Sequence, residues 1–250
     1  LRLPALALVL ALPAAELPGQ FKFREPPARE RPPSLSTEAG MDIWERFRQA
    51  RQLGSFRIEG HLLHRPAGEP SRRYKVLLEG DWTSARETTR LRLSREGRPL
   101  DDQVLERLPD GRLLAGPPGG PMEPVDRGFL DTPVTASLPF AWRDLLMPFL
   151  SWSPPAYLGP ERYLGRPAHR FELRNPDPLG SPSRVEVVLD ADFAALLEAE
   201  LLDHGGRLYK RVRVGGFRQF ADGWMFSELN WEHRPERQSV RLEVGSFSLP

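Results

Sequence analysis

Between residues 137 and 250, apolar and polar side chains alternate almost without a break. His169, Phe171 and Leu173 alternate with Arg170, Glu172 and Arg174; Val185, Val187 and Leu189 alternate with Arg184 and Glu186. Leu197, Ala199 and Leu201 interleave with Glu198 and Glu200, and Leu208, Val212 and Val214 with Tyr209, Arg211 and Arg213. Residues 224–233 and 239–249 repeat the pattern. A period of two is the period of a strand, and strict alternation requires one covered face and one wet face. His204-Gly205-Gly206 and Asp222-Gly223 supply tight turns between the runs. Consecutive hairpins imply antiparallel order, and a long sheet of that kind twists and curls.

The first half has the same grammar after one helix. Ile43, Trp44, Phe47 and Ala50 recur at helical spacing within residues 37–53, and Gly54 sits where a helix stops. Phe56, Ile58, Gly60 and Leu62 then alternate with Arg57, Glu59 and His61. Tyr74, Val76, Leu78, Gly80 and Trp82 alternate with Lys75, Glu79 and Asp81. Leu91 and Leu93 oppose Arg90 and Arg92, and residues 102–108 form a further strand. Residues 116–133 read as loop from their Pro and Gly content. The 27 prolines argue against a helical bundle, because proline breaks helices and central strands alike. The expected class is mainly β with a minor helical part (α+β): a single curved antiparallel sheet.

The oily face of such a sheet needs a cover, and the sequence offers two. One is the helix at 37–53; the other is the aromatic segment LPFAWRDLLMPFLSW at 138–152, read as helical. Within it Trp142, Leu145, Leu146, Phe149 and Leu150 cover more than one helical face, and Pro148 bends or ends the helix. Plain core packing accounts for most of these residues. The functional alternative is a lid that also lines a hollow.

A formal net charge of +1 predicts no strong pull toward nucleic acid or acidic lipid. The absence of cysteine excludes disulfides, thiolate metal sites and a cysteine nucleophile. Residues 1–15 carry Arg2, a short apolar run and small residues at Ala14 and Ala15, and read as a secretory signal segment. Residues 16–36, rich in Pro, Arg and Glu, read as an extended linker. The remaining residues, 37–250, form the expected folded domain. Export places it in the periplasm.

No catalytic set emerges. His61 and His64 are three apart on a strand and point to opposite faces, so they make a poor metal pair. All five histidines, His61, His64, His169, His204 and His233, read as surface or turn residues. Asp190 and Asp192 read as a strand-end turn or cap. Glu198 and Glu200 read as charges on a wet strand face instead of an acid–base pair. Arg207, Lys210, Arg211, Arg213 and Arg218, interleaved with Tyr209 and Phe217, form a basic stretch that could suit single-stranded nucleic acid but reads better as a solvated strand face or as a contact for anionic lipid or a partner. No nucleophile elbow, phosphate loop or dinucleotide fingerprint is present. Neither a cofactor nor a metal is expected.

Residues 138–249 also resemble a known family. The succession of an apolar segment (WRDLLMPFLSW), then Gly159, Glu161, Gly165 and Arg166 entering a strand, a strand ending at Asp190, a Gly turn, a basic strand and an Asp-Gly hairpin is similar to the LolA-like outer-membrane lipoprotein-sorting proteins. That resemblance implies an incomplete β-barrel with a helical lid over a hydrophobic cavity that shelters acyl chains. It further implies a non-catalytic periplasmic carrier or chaperone, taken here as a monomer, whose partners are lipoprotein acyl chains or lipid and membrane proteins that donate and accept the cargo. Trp82, Phe140, Trp142, Leu145, Leu146, Phe149, Leu150, Trp152 and Met225 are the expected lid and cavity residues. The family's best-known carriers close the lid with an arginine, and Arg57, Arg90 and Arg92 match no motif for that role. The alternative on the same scaffold is an envelope sensor or protein-interaction module that carries no lipid.

Overall fold

The computed structural model describes residues 37–249 apart from 51–53, 82–85, 136, 137 and 153. The signal-like segment, the linker and Trp82 therefore lie outside the described residues. The chain opens with helix α1 (Thr37–Ala50), which buries Ile43, Trp44 and Phe47, as their spacing requires. Six strands follow: β1 (Ser55–Arg65), β2 (Arg72–Asp81), β3 (Glu87–Arg95), β4 (Arg98–Arg107), β5 (Leu113–Gly116) and β6 (Glu123–Val125). After a connection come seven more: β9 (Ala156–Tyr163), β10 (Arg166–Arg174), β11 (Arg184–Asp190), β12 (Leu196–Leu202), β13 (Leu208–Phe220), β14 (Gly223–His233) and β15 (Gln238–Ser248).

These strands make one 13-stranded antiparallel sheet in the order β6-β5-β4-β3-β2-β1-β15-β14-β13-β12-β11-β10-β9. The sheet is not closed: β6 and β9 are its edges. The first and last strands meet in its middle, where β1 pairs with β15 from Arg57↔Ser248 to Arg65↔Ser239. The two edge strands are neighbours in sequence, so the connection between them crosses one face of the sheet. That connection contains a 3-10 turn (Arg127–Asp131), a separate hairpin of β7 (Pro133–Thr135) and β8 (Leu138–Ala141), helix α2 (Trp142–Leu146) and a second 3-10 turn (Pro148–Ser151).

The alternation resolves into an inner and an outer face. Ile58 and Leu62 of β1, Tyr74 and Leu78 of β2, Phe171 of β10, Val187 of β11, Trp231 of β14 and Val240 of β15 join α1 and the crossing connection in one apolar cluster. The outer face is an ion-pair lattice, not a row of free charges. Register sets Glu198 opposite Arg213 and Glu200 opposite Arg211. Arg213 Nε lies 2.7 Å from Glu198, and Arg170 lies 2.9 Å from Glu161 and 3.0 Å from Glu186. Cross-strand pairs of opposite charge stabilise a sheet by a few tenths of a kcal/mol each, on the order of 0.2–1. The expectation of a wet face therefore fails at Glu198, whose residue is only 5% exposed. Its charge is acceptable there because Arg213 and the Tyr163 hydroxyl both reach it.

Two further expectations are corrected, and a third holds. The segment at 138–150 is not one helix: Leu138–Ala141 is strand, with Leu138 and Phe140 buried and Pro139 and Ala141 half-buried, and the helix lasts only to Leu146. Pro148 ends it, with Met147 in the left-handed region (φ 42). The stretch at 116–133 holds β6 and a 3-10 turn besides loop, the turn capped by the Asp126 carboxylate accepting from the Phe129 amide at 3.1 Å. Asp190 does close a strand-end turn: its Oδ1 accepts from the amides of Asp192 and Phe193, both at 2.9 Å, while Arg166 holds Oδ2.

The β1–β15 seam contains a bulge at Glu59/Gly60. A Cβ at Gly60 would stand 2.0 Å from the Glu243 carbonyl oxygen, a backbone atom that cannot give way cheaply. Gly60→Ala is expected to destabilise the protein by about 1–3 kcal/mol, the range for overpacking, read as a lowered midpoint of urea unfolding.

Candidate functional site

The crossing connection roofs the inner face. Among the described residues β8 pairs with β7 and with no strand of the main sheet, so this part of the roof contributes no rung to it. Phe140, Trp142, Leu145, Leu146, Phe149, Leu150 and Trp152 are all buried there, and Met225 of β14 is buried in the same apolar cluster. The eight described members of the predicted lid and cavity set therefore belong to one contiguous cluster; Trp82 is the ninth, outside the described residues. Phe140 meets Trp231 edge-on with ring centroids 4.9 Å apart, and Phe149 meets Trp152 at 6.5 Å. Coverage is uneven. Phe171, Leu173, Val185, Val187 and Leu189 of β10 and β11 are wholly enclosed, whereas Leu113, Ala115 and Val125 on β5 and β6 are only half-buried.

One polar residue sits at the centre of this apolar roof. Asp144, third in α2, turns back to accept from the Ala141 amide at 3.0 Å, which satisfies a helix-end donor. Its other oxygen takes the Lys210 ammonium of β13, and its backbone carbonyl accepts from the Trp231 indole N–H at 3.1 Å. Both ends of the ion pair are enclosed, with 3% of the Asp144 side chain and 13% of the Lys210 side chain exposed. Arg143 on the same helix pairs with Asp131, at 2.9 Å for Nη2, and ties α2 to the turn before β7.

Sequence reasoning did not single out Lys210 as the partner of an acid in this segment. Arg57, Arg90 and Arg92 are all spent elsewhere: Arg57 on Glu59 and Glu79, Arg90 and Arg92 on Asp102. Lys210 was grouped with a solvated basic stretch, and the structure overturns that. It shares the parity of Val212 and Val214, which are buried, and so points inward, while Arg211 and Arg213 point outward into the lattice.

Lys210 belongs to a polar row across the inner face. Register sets it opposite His233, and His233 opposite Gln238. Gln238 Oε1 lies 3.0 Å from His64 Nε2. His64 is only 3% exposed, and His169, bonded through Nδ1 to the Tyr157 hydroxyl at 3.0 Å, is also enclosed. The surface reading is thus overturned for His64, His169 and His233, and holds for His204. His61 and His64 do face opposite ways. His64 Nδ1 and His233 Nε2 are buried atoms without a hydrogen-bond partner. Among the described residues no group of three or more His, Cys, Asp or Glu side chains is arranged to hold a metal ion.

The same overall fold occurs in solved structures. A DUF1329 family protein from Desulfovibrio piger superposes with a TM-score of 0.71 at 12% identity, over 85% of this chain and 92% of that one. A LolA superfamily protein from Nitrosomonas europaea gives 0.63 at 15% identity, over 84% of this chain and 93% of that one. The fold is LolA-like. A domain named for outer membrane lipoprotein sorting, from Vibrio parahaemolyticus, agrees with a TM-score of 0.60 at 16% identity, over 84% of this chain and 90% of that one. Neither a family model nor a curated protein matches the chain. At such identities the likeness establishes the LolA-like architecture, and function has to be argued from the site. Among the described residues no helix is long and apolar enough to cross a membrane.

Burial pushes the His233 imidazole down to about 4; Lys210 and His64 push the same way, and Asp144 and Glu236 oppose them. A histidine held below its ordinary value of about 6.5 is neutral in the folded protein and becomes charged more readily when unfolded. Its contribution is whole above pH ~6.5 and is lost as pH falls toward about 4, a change on the order of 3 kcal/mol at most. His169, also lowered by burial, adds in the same direction. Thermal midpoints are expected to fall between pH 7 and pH 4.5, and His233→Gln to flatten that fall; equal slopes in the two proteins would remove His233 from the account.

Proposed function

We propose that the protein is a non-catalytic carrier or chaperone that holds acyl chains of lipoproteins or lipids against the inner face of its sheet, beneath the crossing roof. The observation that carries this reading is a continuous apolar inner surface whose cover, β8 through Trp152, is no part of the sheet's own hydrogen-bonded ladder. A cover of that kind can lift without breaking the sheet. Phe140, Trp142, Leu145, Leu146, Phe149, Leu150, Trp152, Met225 and Trp82 are the proposed contacts for the chain. The half-buried inner side of β5 and β6 is the proposed side of entry. Burial of a chain gains about 0.8 kcal/mol per methylene, on the order of 10 kcal/mol for a long one. Lifting the roof and ordering the chain offset part of that gain, which allows release. The place of work is the periplasm, as the signal-like segment implies, with membrane proteins as donor and acceptor and the carrier itself a monomer.

A second reading has one observation in its favour. Every described member of the proposed lining is already covered by the protein's own atoms. A permanently filled interior would instead suit an envelope sensor or protein-interaction module that uses the outside of the same fold. Native mass spectrometry of protein purified from its own envelope separates the two, since only a carrier brings lipid with it. Leu146→Glu places a carboxylate in the roof. It is expected to abolish lipid co-purification while circular dichroism still shows the intact sheet; unchanged lipid content would count against the roof as the binding element.

A further inference from the structure

The inner polar row is unbalanced once the roof is lifted. In the closed molecule Asp144 is the carboxylate that meets Lys210, and it comes from the roof, not from the sheet. When α2 leaves, Asp144 leaves with it. What remains on the sheet is the Lys210 ammonium, the His233 imidazole opposite it in register, and His64 joined through Gln238. Both imidazoles already carry a buried nitrogen without a partner in the closed state. An ammonium set in an apolar wall and stripped of its counter-ion is costly to leave unpaired. Each imidazole beside it can donate a ring N–H to an anion.

We infer that the cargo is an amphiphile with an anionic head group, whose carboxylate or phosphate replaces Asp144 on Lys210 while its chain lies on the apolar wall. The inference rests on the carrier reading above and names the class of ligand that this site takes. Asp144 is then an internal stand-in for the head group, and ligand entry and roof release become one exchange of anions. An uncharged chain has nothing to offer Lys210 and must open the roof against the full strength of the ion pair. Lys210 and the row beyond it thereby distinguish charged from uncharged lipids, while the aromatic roof responds only to the chain. Acidic neighbours do not cancel the site: Glu236 acts on His233 from the turn after β14, outside the row.

The test is binding of three ligands of equal chain length to the full protein by isothermal titration calorimetry: dodecanoate, dodecyl phosphate and the uncharged glyceryl monododecanoate. The two anions are expected to bind at least about tenfold more tightly than the uncharged ligand. A stronger preference for one anion identifies the carboxylate or the phosphate as the native head group. Lys210→Met is expected to erase the ratio between charged and uncharged ligands, and Lys210→Arg to retain it, which separates lost charge from lost packing. Asp144→Asn is expected to raise the affinity for all three ligands by releasing the roof. Circular dichroism of each variant establishes that the sheet has formed. Equal binding of all three ligands by the native protein would overturn the anionic head group and leave the carrier reading standing. Binding of none would overturn both. An anion preference that survives in Lys210→Met would remove Lys210 from the site.

Discussion

The pairing of β1 with β15 determines everything else about this molecule. Because the first and last strands join at the middle of the sheet, the outermost strands are β6 and β9, which follow one another in the chain. Laid flat, a 13-stranded sheet is on the order of 60 Å across, at about 4.8 Å per strand. The connection that crosses it contains a hairpin that retraces its own path and helical turns that rise only about 1.5 Å per residue. Its reach is therefore far shorter than that of extended chain, and the sheet's right-handed twist and curl bring the edges within it. The roof is a consequence of strand order, and its apolar character follows from where that order lays it.

A roof laid over an apolar wall adheres by area and has no preferred position. The Asp144–Lys210 pair and the Trp231 indole bonded to the Asp144 carbonyl give it one. A buried ion pair adds little net stability over an apolar pair of equal volume, because desolvation of both charges offsets their attraction, yet a displaced partner is heavily penalised. That asymmetry makes a registration device. It holds α2 at one place on β13 and β14.

The alternation in the sequence was enough to find most strands, because each inner residue leaves the same mark at every second position. It also held the location of Lys210, which has the parity of Val212 and Val214; treating residues 207–218 as a block of charge hid that. What could not be read was pairing across distance. Asp144 lies in WRDLLM as an ordinary helix-end acid, and nothing local links it to a lysine 66 residues on. Leu138 and Phe140 do alternate with Pro139 and Ala141, but four residues inside an aromatic run read equally well as a turn of helix. Strand β9 was obscured by Gly159 and Pro160, which an edge strand tolerates and a central one does not. Glu198 looked wet because sequence shows the charge and not the arginines that register brings to it.

The outer lattice holds the sheet together independently of the roof. A sheet whose only stability came from its covered face would come apart when uncovered. Here each strand is also bound to the next by a full ladder of backbone bonds and, on the outer face, by pairs such as Arg170 with Glu161 and Glu186 and Arg213 with Glu198. None of these involves residues 138–152. On the carrier reading proposed above, lifting the roof would leave these bonds in place, so its free energy would be separable from that of unfolding the sheet. The outer face thus holds the sheet together through contacts that do not depend on the segment covering its inner face.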